Sequence, residues 1–313
     1  MEFFKQNTEI NFMRQRKAAY VFSAVILIAS IVALAIFHLN LGLDFTGGLQ
    51  LEMHFPATVD AAQVRQTLHD AGYEKASVIR YGSSQDIEVT LSLDHFQAAD
   101  KTSQSLIHDE VNKKIKSLLP SATIERVDYV GPQVGKQLAQ QGMLAVIISL
   151  IGTMIYISLR FERRFAVSST IALIHDPLLI LGIFAAFHIQ FDLISLTALL
   201  TVIGYSLNDT IVIFDRVREN FRRLRKAEPY DVMNISINQT LSRTIMTSGL
   251  TLIVLIVLYF FGGPMLRGFS LAFIIGIVIG TYSSIYVAGA LAIAMGLEKK
   301  HLMPVKLDQD ARP

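Results

Sequence analysis

Asp209 is the residue whose setting most suggests chemistry. It sits beside Asn208 in the segment "GYSLNDTIVIFDRVREN" (204–220), near the end of an apolar run that begins at Leu193. A carboxylate inside a lipid-spanning helix costs roughly 2.5–3.5 kcal/mol on insertion scales and normally faces protein or a wet cavity. At 100° per residue, Thr197, Thr201, Gly204, Tyr205, Asn208 and Asp209 share one sector of about 140°, so the helix carries a polar stripe suited to partners rather than to lipid. A carboxylate so placed can exchange a proton near neutral pH. The alternative is an Asp that packs helices by bonding to Ser or Thr on a neighbour.

A second stripe starts at Arg243 and continues through Thr244, Thr247 or Ser248, and Thr251. The spacing predicts that Arg243 opens the fifth helix and reaches toward the level of Asp209. Its alternative role is a cytoplasmic charge anchor. Asp176 follows His175 and precedes Pro177 in the middle of another apolar run. Proline removes a helix donor, so a carboxylate beside it marks either a wet, mobile site or a polar group satisfied by neighbouring helices. Two intramembrane aspartates also fit an aspartyl protease, but that chemistry needs a proton-sharing pair. The expected depths differ by several ångströms, and no Gly-x-Gly-Asp is present.

Other residues read as structural. Gly276, Gly280, Ser284, Ala288 and Ala292 place a small residue at every fourth position, which permits close helix approach. The approaching surface is in this chain or in another subunit. Asp44, Gly47 and Gly48 in "LDFTGG" make a tight turn into a strand; no Lys-Ser/Thr follows them, as a phosphate loop requires. Gly131 and Pro132 in "YVGPQVGKQL" form the matching exit.

The elements that position these residues follow from composition. Of 313 residues, 52% are hydrophobic and 17% charged, with mean hydropathy +0.44, a balance that excludes an ordinary soluble domain. Six runs are long enough to cross a hydrocarbon core, which takes about 20 residues: Ala19–Leu39, Gln141–Leu159, Phe165–Phe187, Leu193–Phe214, Thr244–Phe261 and Phe269–Met295. The first is too long for a signal-peptide core and reads as a retained helix. Lys and Arg gather before the first run, between the second and third, in a basic loop over 215–243, and after the sixth. That asymmetry places both termini, 1–18 and 296–313, in the cytoplasm. Cysteine is absent, so there is no disulfide framework or Cys-based metal site, and the eight His lack metal-ligand spacing.

The segment 40–140 reads as a separate periplasmic α+β domain. Strands are predicted at Leu49–Phe55, Ala76–Tyr81, Ile87–Leu93 and Ala122–Val130, with helices from Thr58 to Gly72 and over Gln97–Leu119. The order β-α-β-β-α-β is that of ferredoxin-like folds. With nine basic and thirteen acidic residues, the domain gives no reason to expect nucleic acid.

Taken in order, "GLDFTGG", "VGPQVG", "FERR", "ALIHD", "IGYSLNDTIVIFDRVREN", "LSRTIMTSG" and "FGGP…GFS…IGIVIGTYSSIYVA" resemble the SecF members of the SecD/SecF family, and the resemblance covers nearly the whole chain. It implies a six-helix half of resistance-nodulation-division architecture that pairs with SecD in the inner membrane. The implied partners are the SecYEG channel, YajC and a translocating unfolded polypeptide, with protons as the driving ion. It further implies a non-enzymatic part in the late, proton-motive-force-driven steps of export, with no cofactor, metal or nucleotide. By position, Asp209 matches the family's proton-pathway aspartate, Arg243 its charged partner and Asn208 its companion; Asp176 matches a feature of less defined role. Two other readings compete: half of a small-molecule or lipid exporter of the same architecture, and a purely structural scaffold of the channel complex.

Overall fold

A computed structural model describes residues 8–74, 76–80, 83–91, 113–224 and 226–297. The apolar runs fold as helices because lipid leaves no other way to satisfy the backbone of a spanning segment. The spanning helices are α1 (Arg16–Phe37), α4 (Pro132–Arg160), α5 (Arg163–Ala186), α6 (Leu193–Arg223), α7 (Pro229–Phe261) and α8 (Gly263–Tyr282). The last continues through a π-helical turn, Ser283–Gly289, into α9 (Ala290–Ala294). All six are long and apolar enough to cross a membrane, so this is a multi-pass helical membrane protein.

The helices divide by burial. The apolar windows of α5, α6 and α8 are 56–61% buried, whereas those of α1, α4 and α7 are only 11–17% buried. The polar residues discussed above therefore lie on or against an inner layer of three helices. That layer is held by close approach between α6 and α8. A Cβ on Gly276 would collide with the Val202 side chain, and one on Gly280 with that of Ser206. The small-residue stripe thus serves packing within the chain, not against another subunit. Each missing Cβ lets the α8 backbone settle directly on α6.

Between α1 and α4 the chain forms β1 (Asn40–Leu41), the short helix α2 (Leu43–Thr46), β2 (Gly48–His54), α3 (Ala61–Asp70), β3 (Ser77–Arg80), β4 (Asp86–Leu91) and β5 (Thr123–Val130). Asp60 caps α3 by accepting from the Ala62 N–H. The sheet runs β3-β4-β2-β5, with every neighbouring pair antiparallel. Strict alternation sends Leu49, Leu51, Met53, Ile87, Val89 and Leu91 to one face, against Val64 and Leu68 of α3. The second predicted helix is described only at its end, helical over 113–118, with Leu119 just beyond it in the domain core; residues 97–112 lie outside the described residues, as do Tyr81 and the predicted end of the third strand at residues 92–93.

The outer domain is tied to the membrane helices at both of its ends. Gly47 has φ +68° and Gly48 φ +144°, conformations that glycine alone adopts without strain. A Cβ on Gly47 would meet the backbone of Pro132, and one on Gly135 would meet Gly47. The entry turn and the start of α4 are therefore in backbone contact, with Gly131 as the N-cap of α4 and Pro132 at its first position. β1 pairs in parallel with β6 (Gln190–Phe191), the link between α5 and α6. Asp44 crosses to accept the Leu193 N–H at 2.9 Å, beside the N-cap Asp192, which accepts from Ser195 N–H at 2.6 Å. Two carboxylates on one helix N-terminus satisfy orphan donors and favour the dipole. Asp44→Ala is expected to lower stability by about 1 kcal/mol, read as an earlier thermal melt of the purified protein; an unchanged melt would contradict the cap.

The basic segment 215–243, read from sequence as a loop, is helical apart from the connection between Arg223 and Pro229. Its charges are solvated faces of α6 and α7, which run on beyond the apolar core. Pro229 starts α7 at a position where its missing N–H costs nothing. This extension also docks the N-terminal segment: Ile10 N–H donates to Asn238 Oδ1 at 3.0 Å, Met13 N–H to Asn234 Oδ1 at 3.0 Å, and Tyr230 OH to Asn11 Oδ1 at 2.6 Å.

Candidate functional site

Asp209 lies at the middle of α6, about 24 Å along the axis from Leu193 at 1.5 Å per residue. It is 5% exposed, turned into the protein. Asn208, one step of about 100° round the helix, is exposed, as are Thr197, Thr201 and Gly204. The predicted stripe thus splits along its edge: Asp209 belongs to the interior, and Asn208 leads a polar row facing outward at membrane depth.

Arg243 differs more from expectation. It lies fourteen residues into α7 rather than at its start, because the helix begins at Pro229. Its side chain is exposed and borders a cleft of about 360 Å³ between α6 and α7, also lined by Val212, Asp215, Arg216, Glu219, Gln239 and Thr240. Among the described residues no ion pair joins it to Asp209. The expected second stripe also divides: Thr244 and Ser248 are buried, Thr247 is exposed, and Thr251 is half-buried beneath the Tyr205 hydroxyl.

Asp176 is the more completely enclosed carboxylate, 1% exposed. Ser206 Oγ on α6 donates to its Oδ2 at 2.5 Å, Ser283 Oγ in the π-turn donates to the same atom at 2.8 Å, and His175 Nδ1 lies 2.9 Å from Oδ1. Three helices thereby converge on one side chain. The π-turn sends two consecutive serines to different neighbours: Ser283 reaches Asp176, and Ser284 bonds Thr210 of α6 at 2.8 Å. Such turns recur at functional sites. Sequence reasoning missed Ser206, Ser283 and Thr210 because they are unremarkable singly; Ser206 is nonetheless inside the "GYSLND" stretch, and Ser284 in the small-residue stripe.

The two aspartates do not form a dyad. No hydrogen bond joins them among the described residues, and Asp176 already accepts from two hydroxyls. Nor, among those residues, do three His, Asp or Glu side chains gather as a metal site requires. Removing the Asp176 carboxylate leaves the buried Ser206 hydroxyl without its acceptor, at about 1–3 kcal/mol, and leaves Ser283 only the longer bond to the Gly280 carbonyl at 3.2 Å. Asp176→Ala is therefore expected to reduce the folded yield in detergent by more than Asp209→Asn does, as fluorescence-detected size exclusion would show. Equal yields would contradict a packing role for Asp176.

Two family models match the chain: the C-terminal region of the SecD/SecF protein export membrane proteins over residues 110–298, and the SecD/SecF GG motif over residues 32–56. The chain is 45% identical over 307 residues to the protein translocase subunit SecF of Vibrio alginolyticus, covering 98% of this chain and 96% of that one. To the SecF of Escherichia coli O157:H7 it is 44% identical over 303 residues, covering 96% and 92%. The chain belongs to the SecF family of protein translocase subunits. Among solved structures it resembles the crystal structure of SecDF from Thermus thermophilus, a translocon-associated membrane protein, with TM-score 0.82 and 33% identity over 93% of this chain. It resembles a super-membrane-facing form of SecDF with TM-score 0.67 and 32% identity over 92%. The chain spans 39% of the length of each solved chain. The stretch that matches the SecD/SecF GG motif contains the pair Gly47-Gly48, whose positive φ values set the turn against Pro132.

Proposed function

We propose that this SecF subunit couples proton movement at Asp209 to motion of its outer domain, and so promotes the late, proton-motive-force-driven steps of protein export. The observation that carries the reading is the continuity of α6. One helix of 31 residues, about 46 Å long, holds Asp209 at its middle and is gripped at its outer end by Asp44 of the outer domain's entry segment. A change in how α6 packs at Asp209 is thereby delivered to the base of the sheet. Protonating Asp209 weakens its attraction to Arg243 and lets α6 and α7 repack. One charge crossing 100 mV is worth about 2.3 kcal/mol, enough to bias a two-state element tens-fold. Asp176 and its serines act as the fixed packing centre, and Asn208 lines the outward polar row.

The same surface supports the proposed assembly. An exposed row of Thr197, Thr201, Asn208, Arg243 and Thr247 is unfavourable against lipid. A second six-helix half, SecD, would cover it in an inner-membrane complex with SecYEG and YajC, with both termini cytoplasmic. The four-stranded domain then stands in the periplasm as a ferredoxin-like unit that meets the emerging unfolded polypeptide. No bond-making step is assigned to the chain. Cells depleted of their own SecF test the reading: the chain is expected to restore export of a secreted protein and to co-purify with SecD. A chain that inserts stably yet restores no export would overturn it.

A further inference from the structure

Glu88 has no part in the account so far. It lies on β4 and is 8% exposed, on the face of the sheet opposite the apolar residues that pack on α3. Among the described residues no hydrogen bond or ion pair reaches its carboxylate. Three other carboxylates act on it: Glu52, directly across the ladder on β2, Asp192, the N-cap of α6, and Asp128 on β5. Among the described residues, Arg126 of β5 is the cation paired on this face, and it is already shared between Asp128 at 3.0 Å and Glu52 at 3.8 Å. From β3 the residue opposite is Ile79. Two residues along the ladder, His54 holds Asp86 at 2.7 Å.

A buried carboxylate with no donor, faced by three more, is costly when ionised and far less so when protonated. Burial first, and then Glu52, Asp192 and Asp128, push the Glu88 carboxyl up from 4.5 to about 7. The place matters as much as the chemistry. The β2–β4 ladder that carries Glu88 ends at Leu91 against Gly48 of the entry turn, and Asp44 of that turn holds the first turn of α6 beside Asp192, so this ladder meets the outer end of the helix that carries Asp209.

We propose that Glu88 is a proton-binding site at the seam between the outer domain and α6, closing the seam when protonated and loosening it when ionised. The proposal rests on the reading above only in placing this seam on the proton-rich side of the membrane. The direction follows from linkage. The closed seam holds its proton more tightly than an open one. Its advantage is full below about pH 4.5 and is lost as pH rises through about 7.

The absence of cysteine gives a clean test. Spin labels placed by His69→Cys on α3 and Phe187→Cys at the outer end of α5, both exposed, report the separation of domain and membrane in full-length protein in nanodiscs. Between about pH 5 and pH 9 the distance distribution is expected to lengthen, with a midpoint near neutrality. Glu88→Gln is expected to keep the short distribution throughout, and Glu52→Gln to lower the midpoint by about half a unit or more. Asp209→Asn is expected to keep the titration, since the seam is roughly 24 Å away along α6. A distribution independent of pH, or a Glu88→Gln chain that still titrates at the original midpoint, would overturn the proposal. So would loss of the titration in Asp209→Asn. Failure here leaves the role of Asp209 in export standing, and failure of that role leaves this titration in place.

Discussion

Asp209→Asn is expected to remove the proton-motive-force-dependent component of export while the subunit still inserts and binds its companion half. The substitution keeps volume and a hydrogen-bonding side chain but deletes the group that changes charge. Asp209 makes no ion pair with Arg243, so the variant leaves no arginine stripped of a bonded partner, and the exposed Arg243 keeps its cleft. Assembly should therefore survive. The expected loss is the whole uncoupler-sensitive fraction of translocation in cells depleted of their own subunit, measured by pulse-chase of a secreted protein. Full retention of that fraction, with normal levels of the variant, would contradict a proton role. Collapse of assembly would instead mark Asp209 as a packing residue and favour the scaffold reading.

Gly276→Val is expected to have the largest effect on folding. Its Cβ and methyls must enter space that the Val202 side chain occupies, at the contact that joins α6 to α8. Overpacking of this kind typically costs about 1–3 kcal/mol, and here it also pushes the π-turn away from Asp176, two turns further along the same helix. The folded yield in detergent should fall severalfold. The paired change Val202→Ala should recover much of it, because it returns the volume at the point of collision. Without that rescue, the damage would have to arise from something other than this contact. Gly280→Val is expected to behave similarly against Ser206, with the added loss of a donor geometry to Asp176.

The membrane architecture was readable because it rests on strong, local signals. Six apolar runs leave few alternatives, and alternation in 48–54 and 86–91 identifies strands by face. The glycines of the entry turn were also legible, since a Gly-Gly pair before a strand asks for positive φ. What the sequence hid was long-range. The Asp44 carboxylate reads as a turn residue, yet it caps a helix 149 positions away. The helical wheel grouped Asn208 with Asp209 correctly by angle, but only the packing of Gly276 and Gly280 on Val202 and Ser206 fixes which edge of that sector is interior. The basic stretch looked like a loop because charge was read as solvation of coil. Glu228-Pro229 was a usable helix-start signal, and the amphipathic faces on either side were long enough to extend both helices past the bilayer. The serines around Asp176 could not be singled out, because each gains meaning only from a carboxylate on another helix.

The central claim is that proton movement at Asp209 moves the outer domain through α6. The most direct measurement is the separation of His69→Cys and Phe187→Cys labels in sealed vesicles containing the chain with its companion half, with the pH at the outer domain held constant and a proton gradient imposed by changing the pH on the opposite side. The account predicts that the gradient shifts the distance distribution in the unmodified chain and leaves it unchanged in Asp209→Asn. A gradient response of equal size in both chains would contradict it.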